Sequence, residues 1–239
     1  HQDDRLRAAT AEWERGHEDL HISGPAGSGK TFVGLHLLLN ALLGDASITV
    51  LLVAKNEALL LSVVNWLRAR LPDDDRAATV RRVFVLPAPF EAARTVRVSK
   101  GRLVTAPTDV ASFSLVVIDE AHHLRADDAA AIESKFARGA RRVFLSDRSQ
   151  SLGDATRFEG AISVRLHEIV RCSQRIAQAG RLFEYGVGDD APASHNETAG
   201  PPLLSFLFER RSEYATRTIA CGVTGSWEGI VACDGKLFC

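Results

Sequence analysis

No stretch of this 239-residue chain approaches the roughly 20 consecutive apolar residues needed to cross a bilayer. The longest candidate, LHLLLNALL at 35–43, is too short, so no membrane partner is expected. The chain starts at His1 without a methionine or a signal-peptide pattern, and a fragment of a longer protein is the expectation. Cysteines number only four, Cys172, Cys221, Cys233 and Cys239, and none forms the close pairs of a zinc ribbon or a thioredoxin motif. Cytosolic disulfides are rare, so free thiols in the cytoplasm or nucleus are expected. Charge of one sign is lacking too. A net charge of −1 and a pI near 6.8 exclude a global basic field, and nucleic acid would have to use a local basic groove. Internal repeats and low-complexity runs are absent.

What is present is an ordinary globular composition, 46% hydrophobic and 25% charged, enough for one large or two small domains. DLHISG at 19–24 reads as a strand ending in a glycine loop, and SITVLLVA at 47–54 as a strand buried on both faces. Further strands are predicted at 82–86, 102–105, 115–119 and 142–146. Helices are predicted at 5–15, 31–43, 57–71 and 126–137, the third stopped by Pro72 and an acidic turn. A strand near 165, a helix at 173–185, a strand at 203–207 and a short helix to Ile219 complete the pattern. Strands alternating with helices imply an α/β fold: a mostly parallel sheet flanked by helices on both faces. Ligands of such sheets sit at the carboxyl ends of the strands.

GPAGSGKT, comprising Gly24, Pro25, Ala26, Gly27, Ser28, Gly29, Lys30 and Thr31, matches the P-loop (Walker A) pattern between a predicted strand and a predicted helix. Glycines let backbone N–H groups turn inward around phosphate oxygens. Lys30 is expected to reach the β/γ-phosphates of ATP and Thr31 to ligate Mg²⁺, while the helix aims its positive end at the anion.

VVIDEAHHL at 116–124 puts Asp119, Glu120, His122 and His123 at the end of an apolar run. Two readings compete. A transition-metal site would use Asp119 with His122 and His123. However, this stretch does not form an H-E-x-x-H pattern, and Asp119 and His123 share a helix face only if a helix begins directly after the strand. The nucleotide reading is the stronger: Asp119 holds Mg²⁺ through water as Walker B, and Glu120 activates the attacking water as general base.

DEAHHL on a strand after a P-loop resembles motif II of the superfamily 1 and 2 helicases. VFLSDRSQSL at 143–152 looks like motif III of superfamily 1, with Asp147 at the aspartate position and Gln150 at the glutamine that senses the γ-phosphate. LHEIVRCSQRI at 166–176 looks like motif IV, with Arg171 as the arginine that reaches the γ-phosphate from a second RecA-like domain. The RCS variant is nearest the Schlafen-type helicase-like ATPases, and 50–67 resembles motif Ia, which in relatives lies along the single strand.

The resemblance covers about 20–182. It implies a RecA-like ATP-binding domain at 1–164 and the incomplete beginning of a second at 165–239. It also implies a helicase-type ATP hydrolase acting on single-stranded DNA or RNA, with Glu120, Gln150 and Arg171 catalytic. Ser146 stands where the family has glycine, no glutamine matches the adenine reader, and motifs V and VI are absent after Arg171. Two other readings stay open: a regulatory P-loop switch of the AAA+ or signalling type, with Ser146 as its polar sensor, and an inactive nucleotide-binding fragment. Trp13, Trp66 and Trp227, and the arginines of the two RRVF stretches at 81–84 and 141–144, are expected to be structural before they are ligands.

Overall fold

The computed structural model describes residues 19–110, 112–147, 158 and 160–169, part of 4–16, and short strands between 193 and 238. Its body is an eight-stranded sheet in the order β5-β4-β3-β2-β6-β7-β1-β8. The elements, in chain order, are β1 (Asp19–Ser23), α1 (Lys30–Gly44), β2 (Val50–Ala54), α2 (Glu57–Arg68), α3 (Asp73–Val80), β3 (Val83–Pro87), β4 (Arg94–Ser99), β5 (Arg102–Pro107), β6 (Leu115–Ile118), a 3₁₀ turn (Ala121–His123), α4 (Ala126–Phe136), β7 (Arg141–Ser146) and β8 (Ile162–Arg165). The α/β class expected from the alternation is what is found. β1, β2, β3, β6, β7 and β8 pair in parallel, and β4 and β5 add an antiparallel edge.

Every residue of β2, β3 and β6 is buried, which is why these strands read as unbroken apolar runs rather than alternating ones. Their side chains divide between two cores. One face packs Ile22, Leu52, Val85, Val117 and Leu145 under α1 and α2 with Leu38, Leu42, Val64 and Leu67. The other packs Leu51, Val53, Phe84, Val116 and Ile118 against Ile132 and Phe136 of α4. A leucine-sized side chain buried this way contributes about 1.5–3 kcal/mol, so both layers hold the strand ends in fixed register.

Several expectations need correction. The acidic stretch after Pro72 is not a turn but the first turn of α3, where Asp73, Asp74 and Asp75 face the positive end of the helix dipole. α2 stops at Arg68 rather than 71, short of Pro72, which disfavours helix in the residue before it. β4 was not anticipated. It forms a hairpin with β5 through Lys100 and Gly101, both at positive φ (48° and 78°), the conformation that a two-residue hairpin loop demands. Near the end of the chain, Ile219 lies in a strand, Thr218–Ala220, rather than at the end of a helix, as its β-branched neighbourhood favours. The predicted helix at 173–185 lies outside the described residues.

Three of the four RRVF arginines, Arg82, Arg141 and Arg142, and two of the tryptophans have structural work. Arg82 donates to the carbonyls of Leu42 (2.7 Å), Asp45 (2.8 Å) and Ile48 (3.2 Å), closing the C-terminal end of α1. Arg142 pairs with Asp19 at the start of β1 and with Glu133 of α4. Arg141 stacks on Trp13, and Arg70 covers Trp66 at 3.8 Å. No helix among the described residues is long and apolar enough to cross a membrane.

Candidate functional site

The chain runs from β1 across to β2, outward to β5, and returns to lay β6 and β7 between β2 and β1. That reversal brings the carboxyl ends of β1, β7 and β6 side by side. Three segments therefore converge there: 24–29 after β1, 119–124 after β6, and Asp147 directly after β7.

The first loop has the backbone a phosphate cradle needs. Gly27 and Gly29 sit at φ 77° and 89°, where a side chain is strained. Gly24 is required for space: a Cβ there would lie 2.7 Å from the Ser28 hydroxyl and 2.8 Å from the Leu166 carbonyl. Gly24 N–H donates to the Ser146 carbonyl (3.3 Å), tying the loop to β7. α1 begins at Lys30 with glycine as its cap and no side-chain acceptor, so its first N–H groups and dipole face the loop. Lys30 Nζ donates to the carbonyls of Gly24 (2.8 Å) and Pro25 (2.9 Å) and lies 3.7 Å from an Asp147 carboxylate oxygen. Burial pushes its pKa down, and the carboxylates of Asp147, Glu120 and Asp119 oppose that shift.

β6 delivers the carboxylates. Asp119 N–H still pairs with the Val53 carbonyl (2.9 Å), so the last ladder bond fixes the backbone under its side chain. Its carboxylate accepts from the Thr31 hydroxyl (3.2 Å) and from Glu120 N–H (3.0 Å). Burial raises the Asp119 pKa, helped by the neighbouring Glu120 charge. Thr31 and Asp119 thus offer oxygen ligands that converge on one place, the donor set a hard cation such as Mg²⁺ takes. Glu120 adopts the left-handed conformation (φ 53°), which turns its half-exposed side chain out of the strand direction.

His122 joins this loop to β7. Asp147 N–H donates to its Nδ1 at 3.0 Å, and both groups are buried. An acceptor at Nδ1 places the ring hydrogen on Nε2, which lies 3.3 Å from a Glu120 carboxylate oxygen. Burial, with His123 beside it, lowers the His122 pKa to about 4, so the ring is neutral. The ligand atoms of Glu120, His122 and His123 lie within 4.8 Å of one another. The tautomer nevertheless rules against a transition-metal site, because Nε2 carries a hydrogen instead of a lone pair. On the far side of β7, the Ser146 hydroxyl is 2.6 Å from Nε2 of buried His21.

The sequence reading thus brought together what the fold brings together for Gly24–Thr31, Asp119 and Glu120. Gln150 and Arg171 lie outside the described residues. Sequence reasoning missed His122 and His21 as positioning residues. The sequence offers His122 as a metal ligand or as a histidine hydrogen-bonded near a carboxylate, and its position two residues after Glu120 is the available signal.

The comparisons with known proteins fit this geometry. A family model described as "Type III restriction enzyme, res subunit" matches residues 1–146, which include the P-loop, Asp119 and Glu120. No curated protein matches the chain. Among solved structures, the chain is similar to the arterivirus nonstructural protein 10 helicase in complex with DNA. The identity is 16% and the TM-score 0.39, over 76% of this chain and 43% of that one. It is also similar to a Pif1 helicase, at 15% identity and a TM-score of 0.42, over 78% of this chain and 49% of that one. A third is the Hef helicase domain of Pyrococcus furiosus, at 18% identity and a TM-score of 0.36, over 59% and 31%. The chain spans less than half the length of each. These matches lend no support to the Schlafen-type assignment. The P-loop followed by a strand-borne Asp-Glu pair, inside a family match covering more than half of the chain, makes this a helicase-like P-loop domain belonging to the family of the type III restriction enzyme res subunit.

Proposed function

We propose that the chain binds MgATP at the loop after β1 and hydrolyses it as the first motor domain of a superfamily 1-type helicase or translocase, acting on single-stranded DNA or RNA. The observation that carries this reading is the convergence of Lys30 and Thr31, at the start of α1, with Asp119 and Glu120, at the end of β6, on one point. Nucleic acid as the partner follows from the resemblance of DEAHHL and the stretches after it to helicase motifs.

The chemistry follows from what each group can do. The N–H groups of 24–30 and the α1 dipole bind the phosphates, and Lys30 exchanges its two carbonyl acceptors for phosphate oxygens. Thr31 and, through water, Asp119 would hold Mg²⁺, which would supply neutralisation of the phosphate charge. Glu120 takes the proton of the attacking water, with His122 Nε2 lying 3.3 Å from its carboxylate. Gln150 would sense the γ-phosphate, and Arg171, from the second domain beginning near 165, would stabilise the developing charge. An arginine of that kind is worth about 10³–10⁵ in rate.

The alternative, a regulatory switch, needs the Ser146 hydroxyl as a sensor facing the nucleotide. That hydroxyl is engaged with His21 inside the core, which favours the motor.

Steady-state ATP hydrolysis with and without single-stranded DNA or RNA tests the proposal. Stimulation by either polymer is expected. Binding of ATP with no stimulation would return the assignment to the switch or to an inactive fragment.

A further inference from the structure

The sheet carries a second charged feature at the end opposite the nucleotide site. Arg68, Arg76, Arg81 and Arg97 line one cleft of about 810 Å³, with Asp73 as its single acid. The cleft lies where α2 and α3 end and beside β4. Arg81 leads into the amino end of β3, whereas the P-loop and Asp119 stand at the carboxyl ends of the parallel strands.

The four guanidiniums are not equivalent. Arg76 is committed to the fold, pairing with Asp73 (2.5 Å) and donating to the Leu71 carbonyl (3.1 Å). Arg68, Arg81 and Arg97 have no ion-pair partner among the described residues, and Arg81 and Arg97 are exposed. One carboxylate against four guanidiniums leaves the lining three positive charges in excess, in a chain whose net charge is −1. Gathering like charges in one concavity is unfavourable by itself and is offset when an anion occupies it.

We propose that this cleft is a second nucleic-acid contact, which grips the phosphodiester backbone without reading bases. Three observations select that ligand. The unpartnered arginines come from three elements, α2, the end of α3 and β4, so a polyanion that extends across the cleft meets all of them. A guanidinium offers a planar fork suited to phosphate oxygens. The lining contains no aromatic ring on which a base could stack, only Ala77, Val80, Thr95, Val96 and Val98 between the charges. That the polyanion is nucleic acid rests on the motor reading above. The site itself does not, because it is remote from the nucleotide loop and needs no ATP.

Binding of a fluorescent oligothymidylate and of a labelled DNA duplex is therefore measured by anisotropy without nucleotide, from about 50 to about 200 mM salt. The wild-type chain is compared with the triple variant R68Q/R81Q/R97Q. If all three arginines meet phosphates, the slope of log K against log salt falls by about 2.7 on duplex and about 2.1 on single strands. Basal ATP hydrolysis should be unchanged. The double variant R81Q/R97Q, at two exposed positions, keeps the test available should the triple variant lose stability. Equal affinity and slope in wild type and variant overturn the proposal, as does absence of wild-type binding. Tripolyphosphate binding as tightly as the oligonucleotide, and being lost in the same variant, would make a small polyanion the ligand and overturn the nucleic-acid assignment. Failure of the motor reading appears separately, as ATP hydrolysis that is missing while oligonucleotide binding and its arginine dependence remain.

Discussion

His122 should make the protein measurably less stable in mild acid, and the sign follows from its environment. The ring is neutral in the folded chain with a pKa near 4, against 6.5 for an ordinary histidine. Between those values the unfolded chain binds the proton and the folded chain does not, so stability rises with pH across this window and is lost as pH falls from 6.5 towards 4. The interval corresponds to about 3 kcal/mol at 1.36 kcal/mol per unit. The side chain is almost wholly buried, so solvent screening removes little of this. Protonation also destroys the Nδ1 acceptor and leaves buried Asp147 N–H without its partner, a loss of about 1–3 kcal/mol that is part of the same total. Replacing His122 by Gln keeps a polar side chain without the titration. Urea unfolding at several pH values between 4.5 and 7.5 should show a steep dependence in the wild type and a shallower one in H122Q. Parallel curves for the two proteins would refute both the neutral tautomer and its link to β7.

Other consequences are simpler. Lys30→Ala should abolish tight MgATP binding, seen by titration with a fluorescent ATP analogue, because it removes the ammonium held at the loop by the Gly24 and Pro25 carbonyls. Gly24→Ala should cost about 1–3 kcal/mol in thermal or urea unfolding, since its methyl group would meet the backbone carbonyl of Leu166 at 2.8 Å. Arg171→Ala, if the motif IV resemblance holds, should lower kcat by about 10³ or more while leaving the Kd for MgATP nearly unchanged.

The legible parts of the sequence were those whose cause is local. β2, β3 and β6 announce themselves because burial on both faces demands an apolar residue at every position. The P-loop is legible because its glycines are dictated by backbone angles and by close approach, at Gly24 to Leu166 and at Gly27 and Gly29 to positive φ. β4 escaped because its sequence, RTVRVS, sets Arg97 between Val96 and Val98 in a strand one place in from the sheet edge, and the Lys100–Gly101 turn that betrays the hairpin lacks the usual asparagine or aspartate. α3 was hidden by its charge, since three aspartates after a proline serve a turn and a helix start equally well. His122 and His21 were illegible for another reason. Their roles depend on Asp147 and Ser146, 25 and 125 residues away, which only strand order brings into reach.

The central claim is that one site binds ATP through Lys30 and turns it over through Glu120. It is tested most directly by measuring MgATP affinity and phosphate release together in wild type and Glu120→Gln. The account predicts an affinity within a few-fold of wild type and turnover lowered by about 10²–10⁴, the usual worth of a general base. Phosphate release by Glu120→Gln at the wild-type rate would contradict it.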